Sequence, residues 1–275
     1  MFALERKYLH TLGVSFTITT ICQFTDLPVR HRSQKAESVP ASRFTNTLLR
    51  VLQPQVVTRL GLRPVDLELK HEIEYPGRPI KYLYFLESGM ASMTNTFSDG
   101  SQVEVGMFGY ESVIGVSALM GTKKSLNRIY MQIAGHGYYC PVESAMKEFQ
   151  LNGGFHAVCL RYVQAQLDQA AQSAGCNAKH KFEPRLARWL LLCSDRAHSE
   201  TFRMSHDLLA DMLGGTRATV SIAAGVLKKK GLIQYSRGVI KILDREGLIN
   251  NACECYKIIK QHLKNYAEFD LPITE

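Results

Sequence analysis

A short run of hydroxyl and cationic side chains follows a pair of glycines in the carboxyl-terminal half of the chain. The run comprises Thr216, Arg217, Ala218, Thr219 and Ser221. A guanidinium offers paired donors that match the acceptor edge of guanine, and hydroxyls and free amides at a helix start bind phosphates. These residue types therefore predict contacts with DNA, and Arg217 is the candidate for a bidentate contact with guanine.

Two predicted helices position this run. Ser205 is a typical N-cap, and the apolar face of the helix that follows it is formed by Leu208, Leu209, Met212 and Leu213. Gly214-Gly215 ends this helix, and Thr216 caps a second one that stops at Gly231. The inner face of the second helix is Val220, Ala223, Ala224 and Leu227.

A predicted hairpin comes directly after the second helix, with a turn at Ser236-Arg237-Gly238. Two helices joined by a glycine turn and followed by a hairpin are typical of a winged helix-turn-helix. Such a unit places the start of its second helix in the major groove of DNA. Ser205 and Arg237, at the first helix and the wing tip, are the remaining candidate DNA contacts.

The positive charge of the chain is concentrated around this unit. The 33 Lys and Arg against 25 Asp and Glu give a net charge of +8, and residues 179–247 alone carry 13 against 7. A basic module of this size attracts phosphates irrespective of sequence. Lys228-Lys229-Lys230 lies in the last helical turn, where cations complement the helix dipole, so we do not expect this triplet to contact DNA.

Length and composition indicate an ordinary globular protein of two domains. The chain has 275 residues, of which 45% are hydrophobic and 21% charged. Since no apolar run reaches the roughly 18 residues needed to span a bilayer, we expect no membrane association. The seven scattered cysteines do not resemble a disulfide framework, which favours a cytoplasmic location. Residues 1–45 lack periodicity and are predicted to form a mobile basic arm.

Short strands punctuated by glycines are predicted between residues 70 and 141. Asp99-Gly100 separates two strand-like runs and signals a hairpin. No helices interleave with these runs, which favours an antiparallel barrel or roll over a parallel sheet.

The period changes to that of one long helix after Asn152-Gly153-Gly154. Its apolar stripe consists of Phe155, Val158, Cys159, Tyr162, Val163, Gln166, Leu167, Ala170, Ala171 and Ala174. Such a stripe fits packing against a second copy of the helix and packing against the chain's own roll equally well.

Four further stretches carry a resemblance to a known family. They are Ala171-Gln172-Ser173-Ala174, Arg185-Leu186-Ala187-Arg188-Trp189-Leu190-Leu191, Ile242-Leu243-Asp244-Arg245-Glu246-Gly247-Leu248 and Ala252-Cys253-Glu254-Cys255-Tyr256. With the helix-turn-helix, they resemble a subgroup of the Crp/Fnr superfamily of bacterial transcription regulators. The resemblance extends from about Thr47 to Lys260.

The resemblance implies an α+β fold with three folded parts. These are an amino-terminal antiparallel β-roll of the cyclic-nucleotide-binding type at 46–151, a long dimerisation helix at 152–181 and a winged helix-turn-helix at 182–248, followed by a carboxyl-terminal helix and tail at 249–275. It also implies a homodimer that binds a palindromic operator in double-stranded DNA. A small-molecule effector of unknown identity is a further implied partner, as is RNA polymerase if the protein is an activator.

A nucleotide site in such a roll has a Gly-Glu pair and an Arg followed by Ser or Thr. Gly109-Tyr110-Glu111 and Arg128-Ile129-Tyr130 match this pattern only in part. Glu111 and Arg128 are therefore the candidate effector-binding residues of an incomplete cyclic-nucleotide site. In the second helix of the DNA-binding unit, Ala218 and Ile222 replace charged residues of the cyclic-AMP receptor type, so the operator should differ.

We expect no metal, no cofactor and no catalytic residues. Cys253 and Cys255 are two apart, so on a helix their side chains would point in different directions. The arm has only Cys22, whereas iron–sulfur relatives use several closely spaced cysteines there. No nucleophile or phosphate-loop motif occurs, so an enzyme is not expected. The alternative function is a small-molecule or redox sensor that acts through protein partners with a vestigial helix-turn-helix.

Overall fold

The computed structural model describes residues 44–268. The predicted amino-terminal arm lies outside the described residues except for its last two. Phe44 is buried, with its ring 5.2 Å from that of Tyr138, and the Thr45 amide donates to Glu87. The roll therefore includes two residues that the sequence assigned to the arm.

Eight strands form the amino-terminal roll. They are β1 (Arg63–Leu67), β2 (Glu72–Glu74), β3 (Tyr82–Leu86), β4 (Met90–Thr96), β5 (Gln102–Phe108), β6 (Val113–Ile114), β7 (Arg128–Ile133) and β8 (Gly135–Pro141). Two four-stranded antiparallel sheets result, with the orders β1-β8-β3-β6 and β2-β7-β4-β5. Apolar side chains of both sheets pack together, among them Val65, Leu86, Phe108 and Met131. The predicted antiparallel roll is confirmed.

The predicted hairpin joins β4 and β5. Gly100 has a φ of 82°, a conformation that favours glycine, and the Asp99 carboxylate accepts a hydrogen bond from the Ser101 amide at 2.9 Å. The local turn chemistry of Asp99-Gly100 therefore sets the register next to the turn, and a bulge between Met93 and Thr94 shifts it further along.

Three short helices cover the β1-β8-β3-β6 sheet: α1 (Thr47–Arg50), α2 (Pro54–Leu60) and α3 (Val142–Gln150). The buried side chain of Asn46 anchors the first of them. Its Nδ2 donates to the carbonyls of Leu86 and Ser112, and its Oδ1 accepts from the amides of Leu48 and Leu49. Asn46 thus caps α1 and ties it to β3 and to the residue that precedes β6.

The long helix α4 (Gly154–Lys179) is present as predicted, and its two faces have different surroundings. Phe155, Val158 and Tyr162 are buried against the same chain. The opposite face is exposed at alternating steps of four and three residues: Leu160, Gln164, Leu167, Ala171, Ala174 and Ala178. One side of the predicted apolar stripe is therefore packed inside the chain, and the other side is uncovered. We call the six exposed residues the α4 seam.

A second unit follows α4. Its elements are α5 (Phe182–Ala197), β9 (Thr201–Arg203), α6 (His206–Leu213), α7 (Arg217–Lys229), β10 (Ile233–Ser236), β11 (Val239–Ile242), α8 (Arg245–Asn251) and α9 (Cys255–Ala267). Strands β10 and β11 form the predicted wing, and β9, which the sequence analysis did not predict, pairs with β11. The core includes Trp189, Leu209, Leu227 and Ile240.

The last helix, α9, returns along α4. The ring of Tyr266 lies 5.8 Å from that of Tyr162, so the last turn of α9 packs against the first half of the long helix. No helix between residues 44 and 268 is both long and apolar enough to cross a membrane.

Glu104 of β5 links the roll to the winged unit. Its carboxylate accepts hydrogen bonds from the indole Nε1 of Trp189, at 2.8 Å, and from the hydroxyl of Ser92. Burial disfavours the charged form and raises the pKa of Glu104 to about 7, although these two hydrogen bonds oppose the shift. Glu104 therefore changes charge near neutral pH at the contact between the two units.

Replacing Glu104 by Gln should make stability less dependent on pH. Because folding raises this pKa, the stabilisation is fully present below the pKa of the unfolded chain and is lost as pH rises through about 7. The loss is on the order of 3 kcal/mol, since one pKa unit corresponds to about 1.4 kcal/mol. Thermal unfolding between about pH 5 and 8 should show the wild-type Tm falling relative to that of Glu104→Gln.

The control for this comparison is Glu68→Gln, which removes an exposed carboxylate from the same roll. It should follow the wild-type curve. Parallel Tm curves for the wild type and Glu104→Gln would contradict the assignment of this pH dependence to Glu104.

Candidate nucleic-acid interface

Two N-caps and a glycine turn set the geometry of the helix-turn-helix. The Ser205 hydroxyl accepts from the Leu208 amide at 3.1 Å, and the Thr216 hydroxyl accepts from the Thr219 amide at 3.2 Å. Gly214 ends α6 with a φ of 61° in the left-handed region, which glycine adopts without strain. Both caps and the turn are therefore where the sequence placed them.

Gly215 allows the turn to pack against α5. A Cβ built at this position would lie 2.4 Å from a ring carbon of Phe182, closer than any real contact. Behind the turn, Leu209, Met212 and Leu213 of α6 and Val220 of α7 are buried in the shared core. Gly214 thus sets the direction in which the chain leaves α6. Gly215 sets how closely the turn before α7 approaches α5.

The start of α7 is uncovered. Thr216, Arg217, Ala218 and Ser221 are exposed, Thr219 is half-buried, and the Arg217 side chain is 73% accessible. The Arg217 Nε is 3.7 Å from Asp207, a loose exposed pair of the kind that contributes little. The guanidinium of Arg217 and the unpaired amides of the first turn are therefore available to a ligand.

The two remaining candidate contacts lie on other elements. Ser205 is exposed, although its hydroxyl caps α6. Arg237 is exposed at the tip of the wing, with a φ of 49°, next to Gly238 with a φ of 74°. These two positive φ values form the tight turn that joins β10 and β11. Five of the seven candidates thus lie at the start of α7 or on its N-cap, whereas Ser205 caps α6 and Arg237 is at the wing tip.

Ser221 is connected to the wing through His206. The Ser221 hydroxyl lies 2.9 Å from Nδ1 of His206, and the imidazole stacks on Tyr235 of β10 at 4.3 Å between centroids. Burial lowers the pKa of His206, which favours the neutral ring that can accept this hydrogen bond. His206 therefore helps to fix the position of α7 against the wing.

Ile222 was not among the candidate contacts, yet it is 71% exposed on α7. It lies beside Ser221 and away from the buried stripe of the helix. An exposed apolar group on a groove-facing helix can contact the methyl group of thymine. The signal in the sequence was an isoleucine that lies off the inner face of the helix.

The basic triplet at the end of α7 has a structural contact. Lys230 Nζ donates to Glu183 at 2.7 Å and to Asn251 at 2.6 Å, which joins α7 to α5 and α8. Lys228 and Lys229 are exposed in the last turn, at the opposite end of the helix from Arg217.

The two candidate effector residues are engaged in separate ion pairs. Glu111 is buried, and its Oε1 lies 2.7 Å from Nε of Arg196 on α5. Arg128 of β7 pairs with Glu72 of β2 and places its guanidinium 4.6 Å from the ring centre of Tyr130. The structure does not bring Glu111 and Arg128 together around one cavity.

A cavity of about 270 Å³ lies instead between the roll and α4. Its lining includes Phe108, Val116, Met120, Ile129 and Tyr162. Glu74, bonded to Ser125, is the single charged group among the described lining residues, which include no Lys or Arg. The cavity is therefore predominantly apolar and has no cation to neutralise a phosphate.

Cys253 and Cys255 do not lie on one helix, so the expectation that they do is wrong. Helix α8 ends at Asn251 and α9 begins at Cys255, which leaves Cys253 in the connection between them. Because the backbone changes direction here, both thiols approach Cys176 and His180 at the end of α4. Neither Cys176 nor His180 was among the candidate site residues predicted from the sequence.

Comparison with known proteins identifies a family match for the winged unit and relatives that cover about two thirds of the chain. Residues 184–250 match the Crp-like helix-turn-helix domain. The global nitrogen regulator of Nostoc sp. is 25% identical over 186 residues, covering 64% of this chain and 82% of the relative. That of Synechococcus elongatus is 24% identical over 209 residues, covering 72% and 94%.

Solved structures share the fold. FixK2 from Bradyrhizobium japonicum has a TM-score of 0.60 and 20% identity, covering 70% of this chain and 98% of that one. A CRP/FNR-family transcriptional regulator from Thermus thermophilus has a TM-score of 0.56 and 21% identity, covering 69% and 98%. The arrangement of roll, long helix and winged unit is therefore that of a known architecture.

Substituting Gly215 by Ala should destabilise the protein, because the added methyl would overlap the ring of Phe182. We expect a loss of about 1–3 kcal/mol in the free energy of unfolding, the usual cost of overpacking. The matched control is Gly225→Ala in α7, where a Cβ would meet nothing within 4 Å. That variant should gain up to about 1 kcal/mol from helix propensity. Urea unfolding followed by circular dichroism distinguishes the two, and equal stability of both variants would contradict the packing role of Gly215.

Proposed function

We propose that the chain is a DNA-binding transcription regulator of the Crp/Fnr type, which acts as a homodimer on a palindromic operator in response to a signal received by its roll. The observation that carries the proposal is the uncovered amino-terminal turn of α7 on a basic winged unit. An exposed guanidinium, hydroxyls and free amides at a helix start match the edges and phosphates of a major groove.

The side chains of this turn have distinct proposed roles. Arg217 forms the bidentate contact with guanine, and Thr216 and Thr219 bind the adjacent phosphate together with the free amides of the helix. Ile222 contacts a thymine methyl group. Arg237 at the wing tip binds a phosphate further along the duplex, so it contributes affinity and salt dependence but little sequence preference.

The exposed seam of α4 supports the homodimer. Its spacing of four and three residues is the heptad pattern of two helices packed side by side. Leu160 and Leu167 are 44% and 62% exposed and lie seven residues apart on this uncovered face. The seam ends in alanines, which allow two helix backbones to approach closely near the winged units. A two-fold dimer would then present two copies of α7 to half-sites related by the same symmetry.

The roll is the proposed site for the signal. Its cavity next to α4 touches Tyr162, Val163 and Gln166 of the helix that carries the seam. A ligand bound there would therefore contact the dimerisation helix directly. Since the lining is mainly apolar and offers no basic side chain among its described residues, we propose an uncharged ligand with apolar surface rather than a cyclic nucleotide.

Arg217→Ala should weaken operator binding by about 1–3 kcal/mol, or roughly 5- to 150-fold in Kd, and should abolish the preference at one base pair of each half-site. The operator is first obtained by selecting duplexes from a random pool with the purified protein. Fluorescence anisotropy then compares the wild type, Arg217→Ala and the control Lys228→Ala, which removes an exposed cation from the far end of α7.

The control variant should bind within about threefold of the wild type, as expected for a cation outside the interface. An operator affinity unchanged in Arg217→Ala would contradict the guanine contact. Failure to enrich any duplex, with and without added metabolites, would favour the alternative of a sensor that acts through protein partners.

Leu167→Glu should convert the dimer to a monomer, because it places two charges against each other at the centre of the α4 seam. Sedimentation velocity measures the change in mass, and operator affinity should fall with it. Leu69→Glu is the matched control, since Leu69 is 52% exposed on the roll and lies outside the seam. A Leu167→Glu protein that remains dimeric would show that the chains associate through another surface.

A further inference from the structure

Four side chains with metal-binding atoms converge at the end of α4. Cys176 and His180 are one helical turn apart, Cys253 lies between α8 and α9, and Cys255 is the first residue of α9. One ligand atom from each lies within 4.8 Å of every other. The convergence joins two segments that are separated by more than 70 residues in sequence, so it is a product of the fold.

Two of the six distances among these atoms are close to the edges of a tetrahedron around one ion. The sulfurs of Cys176 and Cys253 are 3.5 Å apart, and Sγ of Cys255 lies 3.6 Å from Nδ1 of His180. Zinc binds thiolate sulfur at about 2.3 Å and imidazole nitrogen at about 2.0–2.1 Å, so tetrahedral edges are roughly 3.8 Å for two sulfurs and 3.5 Å for sulfur and nitrogen. The four atoms are therefore already close to the positions that a tetrahedral ion requires.

The groups around the four side chains are those that support a metal site. His180 Nε2 lies 3.1 Å from Glu254, and a donated hydrogen bond there leaves Nδ1 unprotonated and facing the thiols. The amide of Gln172 donates to Sγ of Cys255 at 3.0 Å. The carboxylate thus selects the tautomer of the histidine, and the amide orients one thiol.

A buried cation offsets the negative charge that three thiolates would bring. Arg188 of α5 is 5% exposed, its Nε makes no hydrogen bond, and it interacts favourably with negative charge on Cys176 and Cys253. Three thiolates, one neutral imidazole and a divalent ion carry a net charge of −1. Such a site would place negative charge near this buried guanidinium, which is also in electrostatic range of Glu104.

We propose that Cys176, His180, Cys253 and Cys255 form a structural Zn²⁺ site that fastens the end of α4 to the connection between α8 and α9. Three sulfurs and one nitrogen suit zinc and exclude magnesium and calcium, which prefer oxygen ligands. The four ligands complete the tetrahedron, so no open position is left for catalysis. An iron–sulfur cluster needs ligands spread around a core of several atoms, whereas these four enclose a single ion.

The site would fix the hinge between the two units. His180 immediately precedes Lys181, the N-cap of α5, so the ion holds the chain at the point where it leaves the long helix. It also anchors the start of α9, which returns along α4. Zinc binding should therefore raise the stability of the folded chain, because the ion binds the native arrangement of four ligands and not the unfolded one.

Elemental analysis of the full chain, purified under reducing and anaerobic conditions and equilibrated with Zn²⁺, tests the proposal. We expect about one zinc per chain in the wild type and less than about a tenth in Cys176→Ala and in His180→Ala. Cys140→Ala is the matched control, since Cys140 is an equally buried free thiol in the roll. That variant should keep its zinc. Full zinc content in Cys176→Ala would overturn the proposal.

Substitution of the wild type with Co²⁺ provides a readout that does not depend on the folding of any variant. A tetrahedral site with three thiolates should show strong ligand-field bands in the visible and sulfur-to-metal charge transfer in the near ultraviolet. Removing the metal with a chelator should lower Tm, and adding Zn²⁺ back should restore it. A weak octahedral cobalt spectrum, absence of retained zinc, or iron with inorganic sulfide in the purified protein would each overturn the assignment.

Discussion

The guanidinium of Arg196 lies where the roll, the long helix and the winged unit meet. Its side chain is 2% exposed, its Nε is 2.7 Å from Glu111 of the roll, and its Nη2 donates to Gln169 of α4 at 3.1 Å. A buried charge of this kind is tolerated only while its partners stay in place, and loss of one partner typically costs about 3–5 kcal/mol. The Arg196 side chain therefore helps to hold the three parts in their relative position.

Gly109 makes this arrangement sterically feasible. A Cβ at Gly109 would lie 2.5 Å from Cγ of Arg196, so a larger residue would displace the arginine stem. The fragment Gly109-Tyr110-Glu111, which resembles part of a nucleotide site, thus serves the contact between units: the glycine admits Arg196 and the acid pairs with it. This interface also contains Glu104, whose charge state near neutral pH alters the same contact. Any signal that reorients the winged unit must act against these buried polar interactions.

The parts of the molecule that follow from local chemistry could be predicted from the sequence. Ser205, Gly214 and Thr216 act through hydrogen bonds and φ values within a few residues, and the helix-turn-helix is found where they indicate it. The pairing of Glu111 with Arg196 spans 85 residues, and that of Cys176 with Cys253 spans 77. Contacts between residues so far apart in the sequence leave no periodic pattern from which they could be predicted. The expectation for Cys253 and Cys255 failed because the sequence has no proline or glycine to mark the end of α8 before Cys253.

The composition of α4 explains why polar and thiol groups are concentrated at its second half. Its first half is held by large buried side chains, including Phe155 and Tyr162, whose burial contributes about 1.5–3 kcal/mol each for groups of this kind. From Gln169 onward the inward residues are small or polar, and they cannot bury enough apolar surface to fix the helix. Gln169 instead binds Arg196, Gln172 binds Cys255, and Cys176 joins the thiol cluster. The outer face of this half consists of small residues, which would let a second helix approach closely. Its inner face has no large apolar side chains either, so specific polar contacts are needed to hold it in place.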